Sequence, residues 1–126
     1  MGTLPARGEV WLVDLGMVAK VRPCLVLSIP PSDNNDRALT TIVPHTTSTR
    51  GSRFEVNSEV RFLKVGAFDA QNLVTIPIVK LVRRLGTLPV EQMSQVEEVV
   101  KTWLGMKSTS AEYFSSAGRD VQPHDV

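Results

Sequence analysis

Two short segments of this chain combine residue types that could carry out chemistry. Arg22 directly precedes Pro23 and an apolar run, so we expect its side chain to be held at the end of a buried strand. The second segment, residues 44–50, places His45 and four hydroxyl side chains where a strand opens into a loop. A guanidinium binds anions, hydroxyls donate and accept hydrogen bonds, and a histidine transfers protons near neutral pH. On pattern alone, the second segment is more typical of a turn that is capped by its own hydroxyls.

Several other kinds of site are missing from the sequence. The two histidines, His45 and His124, lie far apart, and Cys24 is the only cysteine, so zinc-ligand spacing is absent. No glycine-rich phosphate loop follows a strand, and there is no Gly-x-Ser-x-Gly elbow. We therefore expect Cys24 to be a buried reduced thiol. If the chain is an enzyme, we expect it to work without a metal or a cofactor.

Length and charge set limits on the partners. The chain has 126 residues, of which 42% are hydrophobic and 21% charged, which predicts one globular domain. The net charge is +1, but residues 1–86 are mildly basic and residues 87–126 mildly acidic, so the first part could bind RNA over a small footprint. Neither a membrane-spanning run nor the apolar core of a secretory signal is present, so we expect a cytoplasmic protein.

Short strands followed by one amphipathic helix dominate the pattern. We predict strands at residues 9–15, 23–29, 38–43, 54–56, 65–70, 72–76 and 83–88. Pro44 is expected to end the third strand, to bulge it or to place it at an edge. A helix begins near Pro89 and ends near Gly105, with Val96 and Val100 on its apolar face and Gln92 on its polar face. The sequence therefore predicts a mainly β fold, a small bent barrel with a C-terminal helix, over residues 1–106. Residues 107–126 are predicted to be a flexible polar tail.

Ordered blocks along the chain resemble the MazF/PemK family of toxin–antitoxin ribonucleases. They are residues 7–15 (RGEVWLVDL), 21–28 (VRPCLVLS), 43–48 (VPHTTS) and 73–76 (LVTI), followed by the helix as far as Leu104. The resemblance implies a small SH3-like barrel of the CcdB/MazF type, a homodimer, and sequence-selective cutting of single-stranded RNA such as mRNA. It also implies a cognate antitoxin protein that occupies the RNA groove.

The same resemblance assigns roles to particular residues. Arg22 and Thr46 match the catalytic arginine and hydroxyl of the family, with the Arg22 charge stabilising a phosphorane that the RNA 2′-OH forms. The products would be a 2′,3′-cyclic phosphate and a 5′-OH. His45, where the family usually has an apolar residue, is a candidate for proton transfer, although neighbouring residues of a strand face opposite sides unless Pro44 bends it. Further candidates for RNA binding are Lys20, Thr47, Ser48, Arg50, Arg53 and Asn72.

One segment departs from the family pattern. Residues 16–20 (GMVAK) are short and apolar, whereas many relatives have a longer Gly/Ser/Glu-rich loop that gates the groove. Two alternatives stay open at this point. The chain could be a CcdB-type toxin that binds DNA gyrase, which the segment Trp103-Leu104-Gly105-Met106 faintly resembles, or an RNA-binding relative without activity.

Overall fold

A computed structural model describes residues 4–16 and 20–107, which form an antiparallel sheet and one C-terminal helix. The strands are β1 (Glu9–Asp14), β2 (Val21–Val26), β3 (Leu39–Thr46), β4 (Glu55–Asn57), β5 (Ala67–Asp69), β6 (Val74–Pro77) and β7 (Leu81–Thr87). Single 3-10 turns follow β5 and β6, and helix α1 spans Val90–Trp103. The predicted mainly β fold with a C-terminal helix is therefore confirmed. The proposed tail falls almost wholly on residues 108–126, outside the described residues, as do positions 17–19 of the short loop.

The sheet follows the order β4-β5-β3-β2-β1-β7, and β6 pairs with β3 outside this path. Within residues 4–16 and 20–107, the end strands β4 and β7 do not pair, so the barrel-like sheet is open rather than a closed ring. None of the helices in this part of the chain has the length and apolar content needed to cross a bilayer.

Strand β3 is the centre of this architecture because it changes partners along its length. Its first residues pair with β6 as far as Ile42, whereas His45 and Thr46 pair with β5. Pro44 lies between these two ladders, where no backbone N–H is required on that side. The sequence-based strand end at Val43 is therefore wrong, and β3 continues to Thr46.

The core has two apolar clusters, one between the sheet and α1 and a second formed by Val13, Cys24, Val26 and Ile42 of the strands. Val10, Leu25 and Phe68 of the strands are fully buried and share one apolar cluster with Val96 of the helix. Gln92, which we expected on the polar face of the helix, is also buried. Its side-chain Nε2 donates to Asn57 O and its Oε1 accepts from Glu59 N, both at 2.9 Å. Because both ends of the amide are paired, the burial costs little, and the helix fixes the start of the loop after β4.

Candidate active site

Arg22 lies where β2 has a neighbour on one side only. Strand β2 pairs with β1 from Val21 to Leu25, but its pairing with β3 begins at Cys24. Proline is tolerated at such an edge because no partner there needs its missing N–H. This explains why Pro23 lies inside the strand rather than at its start, and it leaves the half-buried Arg22 beside an opening in the sheet.

Thr46 borders the same opening from the other side. The β2–β3 ladder pairs Cys24 with Pro44, and two further steps of this register would place Arg22 opposite Thr46. Instead, β3 leaves β2 after Pro44 and pairs with β5. The two strands enclose a cavity of about 390 Å³. Its lining residues are Arg22, Pro23, His45, Thr46, Thr47, Ser48, Phe62, Leu63 and Lys64.

The guanidinium of Arg22 is available to a ligand. Among the residues that the structure describes, no carboxylate or carbonyl accepts a hydrogen bond from it. Arg22 also lines a second cavity of about 540 Å³, together with Asp14, Asn72 and Lys80. Although this second cavity is larger, it lacks Thr46, so the smaller one combines the two predicted catalytic side chains.

The Thr46 hydroxyl accepts one hydrogen bond from the backbone, and its own proton is still available for donation. Its Oγ1 accepts a hydrogen bond from Ser48 N at 3.0 Å, which is the hydroxyl-capped turn that the sequence also suggested. The following backbone is fixed by Glu55, whose Oε1 accepts from Arg50 N and from Gly51 N, each at 3.0 Å. The Thr46 hydroxyl hydrogen can therefore be donated towards the cavity from a well-anchored turn.

His45 is 4% exposed and is held by a chain of hydrogen bonds. Its Nε2 lies 2.9 Å from Ser58 Oγ, and that hydroxyl donates to Gly66 O at 3.3 Å. The imidazole also packs edge-on against Phe68, with the ring centroids 5.3 Å apart. Burial lowers the pKa of His45 from its ordinary value, and the positive charge of Arg22 lowers this pKa further.

Both His45 and Thr46 line the cavity, although neighbouring strand residues ordinarily face opposite sides. The change of partner at Pro44 is the bend that the sequence argument required.

The remaining predicted residues divide into three groups. Thr47 and Ser48 line the cavity with Thr46. Asn72 lines the second cavity, where its Nδ2 donates to Asp69 Oδ2 at 2.6 Å.

Lys20, Arg50 and Arg53 line neither cavity. Lys20 closes the β1–β2 turn with a positive φ of 57°. The guanidinium carbon of Arg53 lies 4.5 Å from the centre of the Phe54 ring. All three side chains are exposed.

Sequence reasoning missed three further residues that line the cavity, Phe62, Leu63 and Lys64. It also missed Ser58, the partner of His45. An aromatic residue beside basic residues in a segment without strand or helix periodicity was the available signal.

Cys24 is buried, as expected, and burial raises the pKa of its thiol to about 12, against a smaller opposing effect of Arg22. Its Sγ donates to Arg22 O at 3.5 Å, so this thiol has a structural role. In residues 4–16 and 20–107, no group of three or more His, Cys, Asp or Glu side chains could hold a metal ion.

The chain is similar to a known protein family and to several solved structures. The family model described as "PemK-like, MazF-like toxin of type II toxin–antitoxin system" matches residues 6–104. An endoribonuclease from a mycobacterial species is 25% identical with a TM-score of 0.69, over 84% of this chain and 96% of that one. A mycobacterial endoribonuclease in complex with its cognate antitoxin is 27% identical with a TM-score of 0.70, over 82% and 98% of the two chains.

A MazE–MazF structure from Deinococcus radiodurans shares the fold, with a TM-score of 0.70 at 22% identity over 84% of this chain and 100% of that chain. A comparison with curated protein sequences gave no match. Because the family model covers most of the chain, this protein belongs to the PemK-like, MazF-like toxins of type II toxin–antitoxin systems.

Proposed function

We propose that this chain is the toxin of a toxin–antitoxin pair and acts as a sequence-selective endoribonuclease on single-stranded RNA. The observation that carries the proposal is that Arg22 and Thr46 line one cavity between two diverging strands, with the Arg22 guanidinium free of protein partners. Family membership and the likeness to two mycobacterial endoribonucleases at 25% and 27% identity support the same activity.

The chemistry is a transesterification within the RNA. The 2′-OH loses its proton and attacks the adjacent phosphorus, and the bond to the 5′ oxygen of the next nucleotide breaks. The products are a 2′,3′-cyclic phosphate and a 5′-OH, and the leaving oxygen takes up a proton. Arg22 stabilises the developing negative charge, because a guanidinium stays protonated and its forked donors match the phosphate oxygens. Thr46 donates a hydrogen bond to the same oxygens or orients the 2′-OH.

His45 is the proton acceptor that fits this site. Ser58 has one hydroxyl proton, and Gly66 O can only accept, so Ser58 donates to Gly66 and must accept from His45 Nε2. This fixes the proton of neutral His45 on Nε2 and leaves Nδ1 as the basic nitrogen. In the described part of the chain, no fully buried side-chain nitrogen or oxygen lacks a partner, so the unpaired Nδ1 is not fully buried, and His45 lines the cavity. The lowered pKa keeps the ring neutral and able to accept a proton at neutral pH.

The other polar residues extend the RNA path on both sides of Arg22. Thr47 and Ser48 provide hydroxyls in the cavity, and Asn72 offers its amide in the second one. The exposed cations Lys20, Arg50 and Arg53 would contact flanking phosphates, which adds affinity rather than sequence choice.

A homodimer and a cognate antitoxin are part of the proposal. The relative that forms a complex with its cognate antitoxin supports the second of these. A pull-down of co-expressed toxin and antitoxin, followed by measurement of their stoichiometry, tests both partners.

Cleavage of a long single-stranded RNA in EDTA, followed by mapping of the ends, tests the activity directly. We expect a short recurrent sequence at the cut sites, 5′-OH ends, and resistance of the 3′ ends to ligation until the cyclic phosphate is opened and the resulting phosphate is removed. Arg37→Ala serves as the control variant, because it removes an exposed arginine from the loop before β3. Inhibition of DNA gyrase without RNA cleavage would instead identify a CcdB-type toxin. RNA binding without cleavage would identify an inactive relative.

A further inference from the structure

One wall of the cavity that Arg22 and Thr46 line belongs to the loop between β4 and β5. Ser58 N donates to Gly66 O at 3.0 Å and closes the base of this loop, and Gln92 of the helix accepts from Glu59 N. Both ends of the loop are thus fixed to regular structure, and its tip reaches the cavity through Phe62 and Lys64.

Phe62 is held against the backbone of β7. A Cβ atom added at Gly86 would lie 2.6 Å from Phe62 Cε2 and 2.8 Å from two further ring carbons. The ring therefore occupies the space that a side chain at position 86 would fill. Despite this contact the residue is 37% exposed, so the ring is supported by the backbone on one side and open on another.

Lys64 supplies a free positive charge to the same wall. Its side chain is exposed and, within the described residues, has no carboxylate partner. An aromatic ring and a cation two residues apart are the combination that binds an unpaired base together with its phosphate. The cavity volume of about 390 Å³ lies near the lower end of the roughly 300–1,000 Å³ usual for small ligands, so it suits one nucleotide rather than a peptide helix.

We propose that Phe62 and Lys64 form a nucleotide subsite, in which the Phe62 ring stacks on the base next to the cleaved phosphate and Lys64 binds the neighbouring phosphate. This inference rests on the proposed ribonuclease function. RNA is favoured over a protein ligand because the subsite shares its cavity with Arg22 and Thr46, whose side chains match a phosphodiester. Stacking requires an unpaired base, so the subsite would also select single-stranded over double-stranded RNA.

Steady-state cleavage of a short RNA that carries the mapped cut site tests the subsite. Phe62→Leu keeps an apolar contact with Gly86 but removes the aromatic ring, and we expect KM to rise on the order of 10- to 100-fold with a smaller change in kcat. Phe62→Tyr keeps the ring and should retain the KM of the unmodified protein. Lys64→Gln should reduce the slope of log affinity against log salt by about 0.7, the value for one phosphate on a single strand.

Arg37→Gln is the matched control for charge. Arg37 precedes β3, whereas Thr46 ends it, so the two are roughly 20 Å apart at the rise of a strand. The control should change neither KM nor kcat by more than about twofold. Thermal unfolding of each variant checks that the fold is retained.

An abasic substitution in the RNA locates the stacked base. At one position next to the cut, the loss of the base should weaken binding to the unmodified protein but not to Phe62→Leu, since the stack is already absent there. Equal losses for both proteins at every position, or an unchanged KM for Phe62→Leu, would overturn the subsite.

Fluorescence anisotropy measures binding separately from cleavage, with a 2′-deoxy sugar at the mapped cut site or, if the protein cuts no RNA, with an unstructured single-stranded RNA of the same length. If the protein cuts no RNA but Phe62→Leu weakens its affinity for RNA, the ribonuclease function would be rejected and the base-stacking site retained. Unchanged RNA affinity with weakened antitoxin binding by Phe62→Leu would show that the wall binds protein and would reject the nucleotide subsite.

Discussion

Arg22 on β2 and Thr46 on β3 each lie two residues beyond Cys24 and Pro44, the last pair that these strands form. In a continuous ladder, directly opposite Cβ atoms lie about 5 Å apart and their side chains pack against each other. Here β3 separates from β2 at Pro44, and the space between the two residues becomes a cavity of about 390 Å³. The site therefore results from the divergence of two paired strands, which gives each side chain a rigid base and leaves room between them for a phosphodiester.

Removal of the Arg22 side chain tests the charge that we assign to the transition state. We expect Arg22→Ala to reduce kcat/KM by about 10²- to 10³-fold, the usual effect of losing one donor to a developing oxyanion. Arg22→Lys should recover part of this loss, because an ammonium keeps the charge but not the forked geometry. Initial rates on the mapped RNA provide the measurement.

The fold should survive these changes. Arg22 has no partner among the described side chains and is only half buried, so the free energy of unfolding should change by less than about 1 kcal/mol. Arg22→Ala with full activity would remove the basis of the proposed mechanism. A comparable loss in Arg37→Ala would show that overall charge, not position, is what matters.

The sequence was sufficient for the parts of the fold that local patterns determine. Alternating and apolar runs located all seven strands within a few residues, and Pro89 and Gly105 bounded the helix. Arg22 and Thr46 were predicted from the ordered family blocks, and the structure brings them to one cavity.

Features that depend on pairing between distant segments could not be predicted in this way. Pro44 argues locally for the end of a strand, but the ladders with β6 and β5 meet at this residue, so its missing N–H costs nothing. Phe62 and Lys64 had no periodicity to place them, since hydrogen bonds to Gly66 and from Gln92 position their loop. The sequence alone places Gln92 on the polar face of the helix. Only the structure shows that its amide is buried and hydrogen-bonded to the backbone of Asn57 and Glu59.

Substitutions at Thr46 can distinguish a chemical role of its hydroxyl from a structural one. Thr46→Val keeps the shape but loses both the acceptor for Ser48 N and the donor to the phosphate. We expect kcat to fall roughly 10- to 100-fold, as for a lost hydrogen bond to a charged group, and the free energy of unfolding to fall by about 1 kcal/mol.

Thr46→Ser restores both hydrogen-bonding functions and should cut RNA at close to the original rate. If Thr46→Val lost stability but no activity, the hydroxyl would be a turn cap only, and another group would have to orient the 2′-OH.

His45 should make both activity and stability depend on pH. Its pKa is lowered by burial first and by the Arg22 charge second, and Lys64 is the other cation that lines the cavity. Below about pH 6.5 the unfolded chain binds more protons at this ring than the folded one. The free energy of unfolding should therefore decrease as the pH falls from about 6.5 towards the lowered pKa, with no penalty above this window.

Two-dimensional NMR can follow this titration, because the chain has only two histidines. We expect His45 to titrate below the ordinary histidine value, and its pKa to move upwards in Arg22→Gln. The decrease of kcat on the acidic side of its pH profile should follow the protonation of His45.

His45→Gln provides the matched variant, since its amide can still donate to Ser58 but has no basic nitrogen. A loss in kcat of about 10²-fold or more, together with loss of the acidic limb, is expected for a general base. An unchanged pH profile in this variant would assign proton transfer to another group or to water.

Gly66, the residue before β5, tests how closely the chain there must approach His45 and Thr46 of β3. A Cβ atom at this position would lie 2.2 Å from the backbone oxygen of Thr46 and 2.8 Å from His45 Cε1, so the Thr46 backbone and the His45 ring would have to move. Gly66→Ala should therefore cost about 1–3 kcal/mol and lower Tm by roughly 5–20 °C. Activity at a temperature where the variant is still folded should fall further than this loss of stability explains, because the displaced atoms belong to Thr46 and to the ring of His45.

Val65→Ala is the control, since Val65 is 94% exposed and adjacent in the chain. Wild-type Tm and wild-type kcat in Gly66→Ala would mean that β5 does not set the positions of His45 and Thr46.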